Sequence, residues 1–375
     1  MAITRRRFLE TTAAAGGALA MVPRTLRAAA ARAVGKPLNI LVLGGTGFIG
    51  PHQVEYATSR GHKLTLFNRG KTNPGLFPNA EKLEGDRDGK LDALKGRKWD
   101  VVLDNSGYVP RHVRDSAQLL KDNVGRYLFI STLSVFADFS QKGLDENSPT
   151  AKLTEPGSED NRKYYGPLKA LCEQEVIQAF GDRATIVRPG LIVGPGDTTD
   201  RFTYWPVRID RGGDVLAPGD PTEPVLIIDV RDLCEWCVRL LEDDVGGVYN
   251  AVGPKAQLSI GEMLYGIKSV TTSEAQLTFV PADFLQAQGV RPWADMPAWF
   301  PPTGPMAGFG YFSREKAIGK GLTFRPLAET AKATLDWFKT LPPERQAKLG
   351  AGIAPDKEKA VLAAWRASER GKAAS

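Results

Sequence analysis

Residues 40–50 read ILVLGGTGFIG. The first four are a short, unbroken apolar run of the kind that forms a strand buried on both faces. Glycines follow at once, with Gly44, Gly47 and Gly50 in a G-x-x-G-x-x-G arrangement. A helical pattern then continues from Phe48 to Arg60, with Pro51 tolerable in its first turn. Strand, glycine turn and helix in this order form a phosphate cradle. The glycines let the backbone turn tightly and approach a pyrophosphate, and the helix start offers free N–H groups and a positive dipole end. The turn therefore predicts dinucleotide contacts from Gly44, Thr46, Gly47, Phe48, Ile49 and Gly50.

The pattern repeats outward from that point. Apolar runs at 63–67, 81–86, 100–104, 126–132 and 184–189 read as strands, and helical segments are expected near 89–95, 110–121 and 164–180. A further strand and helix lie in 225–242, with a last strand in 247–253. Strands alternating with helices imply βαβ units and a doubly wound parallel sheet. The expected organisation is a leader at 1–33, a dinucleotide-binding domain at 34–197 to which 222–253 returns, a mainly substrate-binding lobe at 198–341, and a helical tail at 342–375. Residues 137–161 are polar and rich in turn formers and read as an insertion loop. Residues 291–312 hold six aromatic rings among prolines; they could floor a pocket, but packing of the second lobe explains most of them better.

Composition narrows the function classes. Residues 1–33 contain six arginines and one glutamate, so they carry five of the six net positive charges of the 375-residue chain. The remainder is close to neutral and gives no electrostatic case for nucleic acid. The three cysteines make no disulfide framework, and Cys234 and Cys237 fall inside an amphipathic helix, where burial is expected. His52, His62 and His112 are scattered, so no metal site is expected. The stretch TRRRFL at 4–9, a short apolar run and the small-residue sites of LRAAAARA resemble a bacterial twin-arginine export signal. The apolar run is too short to span a membrane. Export to the periplasm, without stable membrane insertion after processing, is the expectation.

The end of the second strand reports on the cofactor. An acidic residue there would hold ribose hydroxyls, but the chain has Asn68 and Arg69, with Lys71 close by. An arginine can meet a 2′-phosphate through paired hydrogen bonds, which favours NADP(H) over NAD(H). Asp86 and its neighbour Arg87 follow the third strand, and Asp86 is placed to accept from an adenine amino group. Asn105 and Pro189, at the ends of later strands, complete the expected cofactor set.

The chemistry resides in YYGPLKALCE, where Tyr165 and Lys169 stand four residues apart on one helix face. A tyrosine near pKa 10 is a poor base at neutral pH, and a neighbouring cation favours its phenolate. The pair can move a proton on a substrate hydroxyl while hydride moves to or from a nicotinamide. With GGTGFIG, GDRD, FISTLSVF, YGPLK and RPGLIVGPGD in this order, the stretch from about Leu38 to Gly253 resembles the extended short-chain dehydrogenase/reductase superfamily, in its NAD-dependent epimerase/dehydratase group. The resemblance implies Tyr165 as acid/base, Lys169 as ribose anchor and phenolate stabiliser, and Thr132 as the hydrogen-bond partner of the substrate oxygen. Ser131 and Ser134 are the fallback candidates. Sugar-nucleotide dehydratases of that group place Asp and Glu after the Thr; Leu133 and Ser134 stand here, which disfavours dehydration. The closer likeness is to an atypical branch of reductase-like proteins that includes chloroplast stem-loop RNA-binding proteins.

Three functions remain open. The first is an NAD(P)-dependent epimerase or oxidoreductase acting at a carbinol carbon of a small, sugar-like substrate with a tightly held cofactor. Twin-arginine export carries folded proteins, so a cofactor bound inside can leave with its enzyme, and a redox-neutral cycle needs no exchange afterwards. The second is an NADPH-dependent ketone or aldehyde reductase. The third is an RNA-binding or scaffolding relative without catalysis. A homodimer through helices flanking the Tyr165 helix is compatible with the resemblance.

Overall fold

The computed structural model describes residues 35–368; the expected export signal at 1–33 lies outside them. Twelve strands occur there. Strands β1 (Asn39–Leu43), β2 (Lys63–Asn68), β3 (Glu81–Glu84), β4 (Trp99–Asp104), β5 (Val124–Ile130), β6 (Ala184–Pro189) and β10 (Gly247–Ala251) form a seven-stranded sheet. Its order is β10-β6-β5-β4-β1-β2-β3, and every pair is parallel. Between them in sequence lie β7 (Ile192–Val193), β8 (Gly213–Pro218) and β9 (Pro224–Asp229); β11 (Gly253–Ser259) and β12 (Ala275–Val280) follow. β11, β9 and β7 form a three-stranded sheet, and β12 pairs in parallel with β8.

The order of the large sheet reverses direction between β1 and β4. In such sheets the crevice for a ligand opens at that reversal, beyond the carboxyl ends of the strands. Ile40, Leu41, Val42 and Leu43 are fully buried, as an apolar run on a doubly covered central strand must be. Helices α1 (Ile49–Ser59), α2 (Pro110–Leu120), α3 (Tyr165–Phe180) and α4 (Val230–Glu242) cover the faces. α1 packs with α4 on one side of the sheet and α2 with α3 on the other. Cys234 and Cys237 lie in that packing on α4, and burial raises both thiol pKa values, so they are inert hydrophobes.

One expected helix is absent. Residues 89–95 form only a single 3-10 turn at Asp92–Leu94. Gly89 and Gly96 bracket it in left-handed conformations (φ +75° and +70°), which leaves too few residues to close a second turn. Beyond Gly253 the alternation does not stop at once: β11, a helix at Ile260–Lys268 and β12 form a second core with Trp205, Met263, Trp299 and Trp365. A helix at Pro355–Ala367 occupies much of the expected tail.

A buried polar web ties α3, β6 and β10 together. Glu173 on α3 accepts from Arg188 Nη2 on β6 at 2.7 Å and from the Ser131 hydroxyl at 2.5 Å. Arg188 also donates to the carbonyl of Glu146, whose carboxylate receives the Asn250 backbone N–H, so the 137–161 loop is pinned to β6 and β10. The same loop exchanges backbone hydrogen bonds with residues 308–313, through Gly308 to Phe139, Gly143 to Tyr311 and Ser313 to Leu144. Replacing Glu173 by Ala leaves Arg188 buried without its carboxylate. The expected loss is about 3–5 kcal/mol of unfolding free energy, read from urea denaturation; a loss below about 1 kcal/mol, the range of an exposed pair, would contradict the role given to the pair.

Candidate active site

A cavity of about 920 Å³ opens at the carboxyl ends of the central strands. Each residue expected from the sequence to touch a cofactor lines it: Gly44, Thr46, Gly47, Phe48, Ile49, Gly50, Asn68, Arg69, Asp86, Arg87, Asn105 and Pro189. Thr132, Tyr165 and Lys169 line it too. The glycine turn has the shape expected of an anion cradle. Gly44 and Gly45 adopt φ +108° and +94°, which side chains disfavour. A Cβ on Gly50 would lie 2.3 Å from the Gly45 Cα, so only glycine lets α1 press against the turn. A Cβ on Gly47 would meet nothing within 4 Å. No acidic side chain occupies the first turn of α1, so its N–H groups and dipole are left for a ligand.

The cofactor-side residues divide by what they already hold. Asn68 uses its carbonyl on Gly70 N and its amide on Gly44 O, which stiffens the turn. Arg69 is exposed on the wall, with Lys71 on the same wall. Asp86 accepts from Asp88 N. Arg87 is buried, and its guanidinium donates to Asp104 at 2.6 Å and to Ser116 at 2.6 Å. Asn105 donates to Gln53, while its carbonyl oxygen is buried without a partner. An open glycine turn, a bare helix start, an unpaired buried acceptor and wall cations together fit a dinucleotide.

On the opposite wall, β5 ends at Ile130 and the chain turns through Thr132, the N-cap of a 3-10 turn at Leu133–Val135. Tyr165 begins α3 beside it. Burial raises the phenol pKa, while hydrogen bonding to Thr132 and the charge of Arg201 oppose the rise. Lys169, one turn further on, is buried and donates to the carbonyls of Gly107 and Ile130, both at 2.7 Å. Burial pushes its pKa down to about 8. The ammonium also sits 4.0 Å from the Phe129 ring centroid. Two of its three donors are thus committed to the chain just beyond β4 and to the end of β5, and one is left. Ser131 is committed to Glu173, whereas Ser134 stays at the cavity, donating its backbone N–H to Thr132 Oγ1.

Sequence reasoning missed Asp197 and Arg201, which come from the loop after β7, in the polar run GPGDTTDR. The aromatic segment at 291–312, which could have floored a pocket or packed the second lobe, does both: Trp293, Phe300 and Phe309 line the cavity. Of that segment, Trp299 and Phe312 are buried packing residues. Gly166 was also missed, although its place directly after Tyr165 was a signal. A Cβ there would lie 2.1 Å from the Ser134 carbonyl oxygen. Glycine is what allows the start of α3 to close on the Thr132 turn.

Residues 40–252, more than half of the chain, match the NAD dependent epimerase/dehydratase family. The protein belongs to that family. This makes it an enzyme of the extended short-chain dehydrogenase/reductase type, using a nicotinamide cofactor. It is 24% identical to the UDP-N-acetyl-alpha-D-glucosaminuronate decarboxylase of Bacillus cytotoxicus, over 80% of this chain and 98% of that one. It is 23% identical to the chloroplast stem-loop binding protein of 41 kDa b of Arabidopsis thaliana, over 58% of this chain and 59% of that protein. Among solved structures, the UDP-glucuronic acid 4-epimerase of Bacillus cereus in complex with NAD superposes with a TM-score of 0.58 at 18% identity, over 81% of this chain and 97% of that one. At that identity the superposition speaks for the fold.

Replacing Gly166 by Ala tests the closure. The methyl group forces Tyr165 away from Thr132, so turnover is expected to fall about 100-fold with cofactor affinity unchanged in a fluorescence titration. Turnover within a factor of about two of the parent would mean the contact does not position the phenol.

Proposed function

We propose that the protein moves hydride at a secondary carbinol carbon of a carbohydrate-like substrate and keeps its cofactor through the cycle. The observation that carries this reading is that Tyr165, Thr132 and Lys169 line one cavity with the glycine turn. When bound, the nicotinamide supplies the hydride acceptor and donor. The chain's own residues handle the proton. Thr132 donates a hydrogen bond to the substrate oxygen and fixes it against Tyr165. Tyr165 takes the hydroxyl proton as the carbinol C–H bond breaks with its electron pair, and returns it when a C–H bond re-forms. Arg201 favours the phenolate electrostatically. Lys169 uses its remaining donor on the ribose and holds the chain beyond β4 at a fixed spacing from the end of β5. Epimerisation returns hydride to the same carbon from the other face and needs no second substrate.

The twin-arginine-like leader supports export of the folded, loaded enzyme to the periplasm, where a self-recycling cofactor has an advantage over one that must exchange. The free Arg69 and Lys71 on the adenosine side favour NADP(H), by paired hydrogen bonds to a 2′-phosphate. The superposed relative was solved with NAD, so the preference rests on these two side chains.

Gentle denaturation of the purified protein is expected to release about one equivalent of nicotinamide nucleotide, identified by mass spectrometry. Tyr165→Phe is expected to release the same amount while turnover falls about 10²–10⁴-fold. A protein that carries and binds no such nucleotide, or a Phe variant that still turns over, would overturn the reading.

Arg69→Ala is expected to weaken NADP(H) by about tenfold or more and to leave NAD(H) nearly unchanged. Equal loss for both, measured by calorimetry, would remove Arg69 from 2′-phosphate recognition.

A further inference from the structure

Lys169 is held between two aromatic rings. Its ammonium lies 4.0 Å from the Phe129 ring centroid and 5.2 Å from that of Tyr108. The two rings differ in what lies behind them. Phe129 is fully buried on β5. Tyr108 is 45% exposed and lines the cavity, as Lys169 does. Lys169 itself is only 2% exposed. Of the two rings, Tyr108 is the one on the open side of the charge.

The backbone places it there. Tyr108 directly follows Gly107, whose carbonyl accepts from Lys169 at 2.7 Å. A Cβ on Gly107 would lie 2.4 Å from the Phe129 ring and 2.7 Å from a Val113 methyl. Glycine lets the chain press onto Phe129 and turn its carbonyl to the ammonium, and the next side chain is carried over that ammonium. Among the described residues nothing hydrogen-bonds the Tyr108 hydroxyl, so the ring makes the contact.

A dry ammonium is costly, and burial is the main reason the Lys169 pKa falls to about 8. Other groups face it. Cys172, Asp104 and Glu173 oppose the fall and Arg87 reinforces it; Asp104 is paired with Arg87, and Glu173 with Arg188. The Cys172 thiol is pushed up to about 12, and burial also raises the phenols of Tyr108 and Tyr165. His112, on α2, faces Asp88. The charge change expected between about pH 7 and 9.5 is that of Lys169. As an ammonium it has three hydrogens, two on the Gly107 and Ile130 carbonyls and one left. As a neutral amine it has two, both already spent, and a ribose beside it loses its donor.

Resting on the hydride-transfer reading, we infer that Tyr108 is a positioning residue. Its ring covers the cavity side of Lys169 and keeps water off the ammonium, so that the remaining N–H goes to the cofactor ribose and the charge to the Tyr165 phenol. A charge in water-poor surroundings acts more strongly on a phenolate. The same cover sets an alkaline limit on cofactor binding.

The test is fluorescence titration of the intact protein, dialysed free of carried nucleotide, with NADPH and with NADH from pH 7 to 9.5. In the parent, affinity is expected to fall from about pH 8 upward, by up to about tenfold per pH unit. Lys169→Met is expected to abolish that dependence. Tyr108→Ala admits water to the ammonium, lets its pKa climb toward the ordinary 10.5, and is expected to move the fall about one unit or more to the alkaline side. Tyr108→Phe keeps the ring and is expected to follow the parent. A fall at the same pH in Tyr108→Ala, an equal displacement in Tyr108→Phe, or a fall that survives Lys169→Met overturns the inference. These readouts are of binding and do not depend on turnover. Turnover that survives Tyr165→Phe would count against the hydride-transfer reading instead, and a protein that binds neither nucleotide would overturn both.

Discussion

A buried ammonium cannot remain without acceptors, and Lys169 finds two of them at the ends of different strands. Its bonds to the Gly107 and Ile130 carbonyls join the chain beyond β4 to the end of β5, and both to α3. The arrangement fixes the rotation of α3, because a helix held at Lys169 presents Tyr165 one turn earlier on the same side. Gly166 then allows the helix start to close on the Thr132 turn, and the Glu173–Arg188–Ser131 web holds the far side of the same helix. The geometry of the phenol thus follows from satisfying a few buried charges.

The two halves of the cavity are built on different principles. The cofactor half is backbone chemistry: glycines in left-handed conformations, a bare helix N-terminus and loose cations on the rim, all suited to phosphate. The other half is side-chain chemistry, with stacked rings, an arginine that spends its Nε on Thr199, and a buried carboxylate. The contrast separates the backbone that suits phosphate from the side chains that close the other end of the cavity. The first half tolerates little variation because backbone atoms approach closely there. The second is assembled from loops, where residue identity is cheap to change.

The regular elements were legible because each obeys a local rule. The buried strands show as apolar runs, the glycine turn as a spacing, and the Tyr165 helix as a periodicity. The failure at 89–95 is instructive, since the alternation of strands with helices suggested a helix that Gly89 and Gly96 leave no length for. Lys169 illustrates a finer limit. Its position was readable from the four-residue spacing, but its hydrogen bonds were not, because the two acceptors are backbone carbonyls 62 and 39 residues away.

The sequence by itself determined the strand-turn-helix unit, the doubly wound order of elements and a set of residues that line the cavity at the carboxyl ends of the strands. Those depend on interactions between near neighbours along the chain and on the burial demanded of apolar runs. Only the tertiary structure decided what lines the rest of that cavity. Asp197 and Arg201 follow β7, Phe139 belongs to the 137–161 loop, and Trp293, Phe300 and Phe309 lie well over a hundred residues beyond Tyr165. No periodicity or spacing links these segments. They come together because backbone hydrogen bonds fasten the 137–161 loop to 308–313, and because the second core carries the aromatic segment to the open end of the sheet.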